Sequence, residues 1–264
     1  RTLEFLLAPW VHWPETMFTY SREDKILFSC DFLGSHYASS SLFVDDEARV
    51  YEGAKRYYAE IMMPFSTSIR KHLETIKAMD VEMIAPSHGP VYQRPETILD
   101  ECRKWISDKG KNEVIIVFVS MHGSTEKMVN HLIDALIDRG ITVRPFNLTG
   151  TDLGELAVSL IDAATIVIAT PTVLVGAHPE VAYAVSLVNA LRPKLKFAGI
   201  IGSYGWGGKV VEQITGMLSN LKLEVLDPVL VKGHPKDGDI AALDRLADEI
   251  LKRHKSIGLI KEEL

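Results

Sequence analysis

From residue 113 onward the chain alternates between two hydrophobic periods. "EVIIVFVS" (113–120) is an unbroken run rich in β-branched residues, as expected of a strand buried on both faces. "EKMVNHLIDALIDRG" (126–140) carries apolar residues at helical spacing and closes on a glycine. The alternation continues with strands at "ITVRPFNL", "TIVIATP", "KFAGIIGS" and "EVLDPVLVKG". Helices are expected at "DLGELAVSLIDA", "PEVAYAVSLVNAL", "KVVEQITGMLSNL" and "GDIAALDRLADEILKRH". Five strands each followed by a helix predict a doubly wound parallel sheet, because parallel neighbours need crossover helices.

The first 107 residues follow another pattern. "LEFLLAP", "MFTYS" and "KILFSCD" read as short strands, with "SREDK" turning between the last two. Helices are expected at "DEARVYEGAKRYYAEIM", "FSTSIRKHLETIKAM" and "PETILDECRKWISD", with a strand "VEMIAPS" before the last. Strands with helices outside predict part of an α/β sandwich, and the segment is too short for two complete sheets. The charged "DKGKNE" (108–113) marks a boundary, giving domains at 1–109 and 110–264.

Composition adds exclusions. The 264 residues are 47% hydrophobic with a net charge of −6 spread without long blocks, so bulk electrostatic binding to nucleic acid is not expected. No apolar run approaches the ~18 residues of a membrane span. Two cysteines, Cys30 and Cys102, and no export signal point to a reducing cytoplasm with both thiols as buried spectators.

Candidate chemistry gathers in the expected strand-end loops. Ligands of doubly wound sheets bind at the carboxyl ends of strands, where strand order switches. "SMHGSTE" (120–126) offers three hydroxyls and a turning glycine ahead of a helix, the makings of an anion site. "ATPTVLVGAHP" follows the third strand, and "GSYGWGG" follows the fourth with Tyr204 and Trp206 among glycines, which suits a flat ring. Neither GxxxxGK[ST] nor GxGxxG occurs. Each loop alone also fits a helix cap or a packed anchor.

Together these loops resemble the flavodoxin family, over residues 113 to about 254. The resemblance implies FMN. Ser120, Met121, His122, Gly123, Ser124 and Thr125 would form the phosphate loop. Pro171, Thr172, Val173 and Leu174 would form one ring-side loop, and Ser203, Tyr204, Gly205, Trp206, Gly207 and Gly208 the other. His122 stands where many members carry Tyr or Thr.

In the first domain, His12, Asp31 and His88 each lie at or just beyond the end of an apolar strand. Imidazole with carboxylate suits first-row metals. Taken singly, each also fits a hydrogen-bonded structural residue or a turn. The pleat should send Cys30 and Asp31 to opposite faces, making Cys30 core if Asp31 faces a metal.

The ordered segments "HWPETMFTY", "LFSCDFLGSH", "YYAEIMMPFS" and "MIAPSHGPVY", followed by the flavodoxin-like domain, resemble flavodiiron proteins. That resemblance covers almost the whole chain. It implies the C-terminal part of a metallo-β-lactamase-like αββα sandwich followed by a flavodoxin-like five-stranded sheet. It implies two irons, with His12 and His88 each binding one and Asp31 bridging. It implies electrons from rubredoxin, reduced deazaflavin or an NAD(P)H-linked reductase, passing through FMN to reduce dioxygen to water, nitric oxide to nitrous oxide, or both. It also implies a head-to-tail homodimer or tetramer. The family's H-x-E-x-D-H ligand motif is absent from these residues, and His36, His72 and His131 do not supply it. An absent N-terminal segment of roughly 130 to 150 residues is therefore expected to complete the metal domain. Two other outcomes stay open: an FMN electron-transfer protein with an inactive metal domain, and a zinc hydrolase fused to a flavin domain. The latter is disfavoured because hydrolysis needs no electrons.

Overall fold

The computed structural model describes residues 1–260. The chain divides into two compact units, one of residues Arg1–Asp108 and one from Lys109 onward.

The first unit has four strands: β1 (Leu3–Leu7), β2 (Met17–Ser21), β3 (Ile26–Cys30) and, later, β4 (Met83–Pro86). They pair in that order, antiparallel except for β3 with β4. Between β3 and β4 run α1 (Glu47–Tyr57) and α2 (Ser66–Lys77); α3 (Pro95–Trp105) follows β4. Asp46 caps α1 by accepting the Arg49 N–H. The α1 helix passes into a π turn (Tyr58–Met62) and a 3-10 turn (Met63–Phe65) before α2. Pro64 explains the break, since it has no N–H to continue the ladder.

Side chains alternate across this sheet with period two. Phe18, Tyr20, Leu27 and Ser29 are buried on one face. Leu3, Phe5, Leu7, Met17 and Phe28 stand exposed on the other, Leu7 at 81%. Helices on one face and an exposed apolar opposite face are what one half of a two-sheet sandwich presents.

The second unit is doubly wound. Its elements are β5 (Lys111–Phe118), α4 (Ser124–Asp138), β6 (Thr142–Asn147), α5 (Leu153–Leu160), β7 (Ala163–Val173), β8 (Gly176–Ala177) and α6 (Pro179–Leu191). Then come β9 (Phe197–Tyr204), α7 (Val210–Met217), β10 (Glu224–Val225), β11 (Val229–Lys232) and α8 (Asp237–Ser256). Parallel pairing runs β6-β5-β7-β9, and both β10 and β11 extend it beside β9. The first strand is thus interior, with the chain turning to one side and then the other, the flavodoxin-type order. Val114 to Val117 and Ile166 to Ala169 are wholly buried, which accounts for their uninterrupted apolar runs.

Two elements depart from the pattern-based expectation. The last strand is two short pieces, because Asp227 and Pro228 interrupt it and proline cannot donate to a ladder. The strand expected at 165–171 continues to Val173 and folds back on β8 as a hairpin.

A polar network lies under the sheet. His254 is fully buried on α8. Its Nδ1 lies 2.8 Å from Asn112 Oδ1 and its Nε2 2.7 Å from Thr165 Oγ1. The Asn112 amide nitrogen donates to the Gly140 carbonyl, so its oxygen is an acceptor and His254 Nδ1 carries the proton. Burial lowers the His254 pKa to about 4. The unfolded chain then binds a proton between about pH 6.5 and 4 that the folded chain refuses. The His254 contribution is therefore complete above pH 6.5 and lost as pH falls towards 4, by at most about 1.4 kcal/mol per unit. Urea melts across this range should show a steeper loss for the parent than for His254→Gln.

Candidate functional site

The carboxyl ends of β5, β7 and β9 open on one cleft of about 450 Å³, within the range of small-molecule sites. Ser120, Met121, His122, Ser124 and Thr125 line it from the first loop, Pro171 to Leu174 from the second, and Ser203 to Trp206 from the third. Gly233, after β11, also lines it and was not anticipated. Its positive φ (76°) and its N–H bond to the Tyr204 carbonyl (2.9 Å) are the only local signal, a glycine just past a strand. Gly207 and Gly208 sit instead in an adjoining hollow with Thr172 and Leu230.

Gly123, at φ 81°, turns the first loop into α4. Ser120 Oγ accepts the N–H groups of Gly123 and Glu126, both at 3.2 Å, and so shapes the turn. The amides of Ser124 and Thr125, first in the helix, have no carbonyl a turn earlier to bind. With the helix dipole they offer an anion two aligned donors. Thr125 is buried, its hydroxyl 3.4 Å from that of Ser203, which ties the first loop to the third. Across the cleft, Leu174 and Trp206 are 91% and 87% exposed, apolar surface set beside these polar groups. An anion cradle with apolar rims fits a phosphorylated aromatic ligand such as FMN.

A larger hollow, about 500 Å³, lies where β10 and β11 meet α8. There Arg253 is engaged by Glu224 and Glu249, and the lining comes from β10, β11, their connection and α8, not from the loops after β5, β7 and β9. The smaller cleft is the better candidate.

In the first unit, His12, Asp31 and His88 come together. Asp31 follows β3, and His88 follows the adjacent β4; the Ser87 N–H bonds the Cys30 carbonyl at 2.7 Å and extends that pairing. His12 lies in the β1–β2 connection, cinched by Ala8 N–H to Thr16 O at 2.8 Å. Gly89 (φ 86°) lets the His88 loop close on Ser35, whose N–H bonds the His88 carbonyl at 3.0 Å. One Asp31 oxygen is 3.4 Å from His12 Nε2, and the other 3.2 Å from His88 Nε2. Among the described residues no group of three or more His, Cys, Asp or Glu converges on a single metal position. The trio explains why: each carboxylate oxygen serves a different imidazole. The trio could therefore offer one nitrogen and one oxygen at each of two positions, an arrangement compatible with a bridged metal pair but too few donors to fill one.

Cys30 does not behave as the pleat argument required. It takes φ 54° and sits at a register shift, so alternation ends there, and it is half-buried rather than core. Cys102 is buried, and burial raises its thiol pKa to about 12. His72 bonds the Pro9 carbonyl at 3.0 Å, His36 faces Glu60 and His131 pairs with Asp244, all outside the trio.

Tyr57 was missed from sequence. It is buried with its ring 5.8 Å from that of His88, and its hydroxyl has no partner among the described residues. Burial, then the Asp31 charge, raises its pKa. Tyr57→Phe should leave the metal-free protein as stable or up to about 1 kcal/mol more stable, as read by chemical denaturation.

Known proteins match in this same order. A beta-lactamase family model, the ODP family, covers residues 1–89, and a flavodoxin model covers 116–244. The structure matches rubredoxin oxygen:oxidoreductase of the anaerobe Desulfovibrio gigas with a TM-score of 0.90 and 29% identity, over 97% of this chain and 66% of that one. The chain belongs to the flavodiiron protein family. The flavodiiron protein of Giardia intestinalis matches with a TM-score of 0.88 and 30% identity, over 97% of this chain and 65% of that one. A protein named nitric oxide reductase, from Moorella thermoacetica, is 35% identical over 86% of this chain and 58% of its own length. The flavodiiron chain described here thus spans about three fifths of that curated relative. No helix among its described residues is long and apolar enough to cross a membrane.

Proposed function

We propose that this chain carries the FMN site and part of the metal site of a flavodiiron oxidoreductase that reduces dioxygen to water, nitric oxide to nitrous oxide, or both. The observation that supports this most is Asp31, with one oxygen towards His12 and the other towards His88. A carboxylate so placed can bridge two irons, each also held by one imidazole. Three donors are too few for two irons, so the remaining donors come from outside these residues, and activity depends on them. In the second unit, the Ser124 and Thr125 amides would hold the FMN phosphate. Trp206 and the Thr172–Leu174 edge would flank the ring and keep water from it. When bound, FMN supplies stepwise electron transfer, and the irons supply gas binding and electrons. Rubredoxin, reduced deazaflavin or an NAD(P)H-linked reductase would deliver the electrons, and a head-to-tail homodimer or tetramer in the cytoplasm would be the working form. The names of the Desulfovibrio and Moorella proteins support one gas each.

The test is metal analysis and gas consumption with the remaining donors supplied. About two irons per chain, one FMN and removal of either gas would support the proposal. FMN uptake with no iron and no gas reduction would leave an electron-transfer flavoprotein instead. Zinc uptake with hydrolysis would overturn both.

A further inference from the structure

The second rim loop of the cleft is a two-residue hairpin turn. Thr172 pairs with Ala177 and Val173 with Gly176, so Leu174 and Val175 form the turn. Both take positive φ, 48° and 79°. A type I′ turn needs that combination and normally uses Asn-Gly; a β-branched valine there is a strained choice. Such backbone persists only where its surroundings over-determine it.

Three contacts do so, from the end of the third rim loop and the helix that follows it. The Lys209 N–H donates to the Val175 carbonyl at 2.7 Å. Gly208 approaches so closely that a Cβ would sit 2.8 Å from the Val175 oxygen and 2.7 Å from Thr172 Cγ2. Gln213, on the next helix, accepts the Ala177 N–H through Oε1 at 2.8 Å. That same oxygen would lie 2.6 Å from a Cβ on residue 176. The glycine is therefore absent from the turn itself and present where Gln213 must reach in.

We infer that Gln213 and Gly208 are positioning residues for the flavin cleft: they clasp its two ring-side loops into one unit and hold the strained Leu174–Val175 turn at the rim. The clasp acts through the turn backbone, not by touching the ligand. Its bearing on a flavin rests on the FMN reading above, and the test separates the two.

The test first uses the protein without ligand. Exchange of the Ala177 amide hydrogen should quicken about tenfold in Gln213→Leu, which keeps the bulk but cannot accept. Gln213→Glu, which still accepts, should retain the protection. FMN titration should then show about tenfold weaker binding for Gln213→Leu and Gly208→Ala, with a shifted flavin midpoint potential. Val175→Gly relieves the strain, so adding Gln213→Leu to it should cost clearly less than in the parent, a non-additivity read by a double-mutant cycle. Unchanged Ala177 exchange in Gln213→Leu would overturn the clasp. So would strict additivity with Val175→Gly. Lost protection with unaltered FMN affinity and potential would overturn the positioning role. If the parent takes up no FMN, the FMN reading fails, while the ligand-free exchange still decides whether the clasp exists.

Discussion

Asp31→Ala is expected to abolish uptake of both irons together, whereas His12→Ala or His88→Ala weakens one position first. The difference follows from geometry. The Asp31 side chain is only 15% exposed and each of its oxygens faces a separate imidazole, so under the proposed metal role its loss would remove an oxygen donor from both positions. Losing even an outer-shell partner of a metal site typically weakens binding 10- to 100-fold, so losing this shared ligand should cost at least about 100-fold. Iron content after anaerobic loading, with the remaining donors supplied, measures this. FMN content should not change, because the trio lies in the first unit and the cleft in the second. Retention of one iron in Asp31→Ala would show that the carboxylate is terminal, not shared.

Ser124→Asp should separate folding from cofactor binding. Residue 124 opens α4, where a carboxylate faces the positive end of the helix dipole and stabilises it by about 0.3–1 kcal/mol. The ligand-free protein should melt at the same or a slightly higher temperature. The same carboxylate would meet the FMN phosphate. Two like charges about 4 Å apart near a protein surface repel by roughly 4 kcal/mol, so FMN affinity should fall by two to three orders of magnitude. Riboflavin lacks the phosphate and should bind both proteins alike. Equal loss of FMN and riboflavin would place the phosphate elsewhere.

What could be read without coordinates depended on how far apart the interacting residues lie. The strands of the second unit were legible because burial on both faces leaves an uninterrupted β-branched run, as in Val114 to Val117. The loops that line the cleft were legible because strand ends in this sheet order converge by topology, so naming the loops named the cleft. The β7–β8 hairpin was not legible: its turn is Leu174–Val175, with none of the residues that announce positive φ. Pro228 was present in the sequence, yet its neighbours' apolar character outweighed it, and one strand was expected where there are two.

The sequence by itself determined the two-unit order, the strand-and-helix alternation and the residue types at each strand end. These follow from local hydrophobic period and turn chemistry. Only the tertiary structure decided which of those residues meet. It set Asp31 between His12 and His88, left the Tyr57 hydroxyl buried without a partner among the described residues, turned Cys30 out of the pleat and brought Gln213 onto Ala177. The Asp31 and Gln213 contacts join segments far apart in the chain, and all four features are set by strand register and helix packing, which no local pattern encodes.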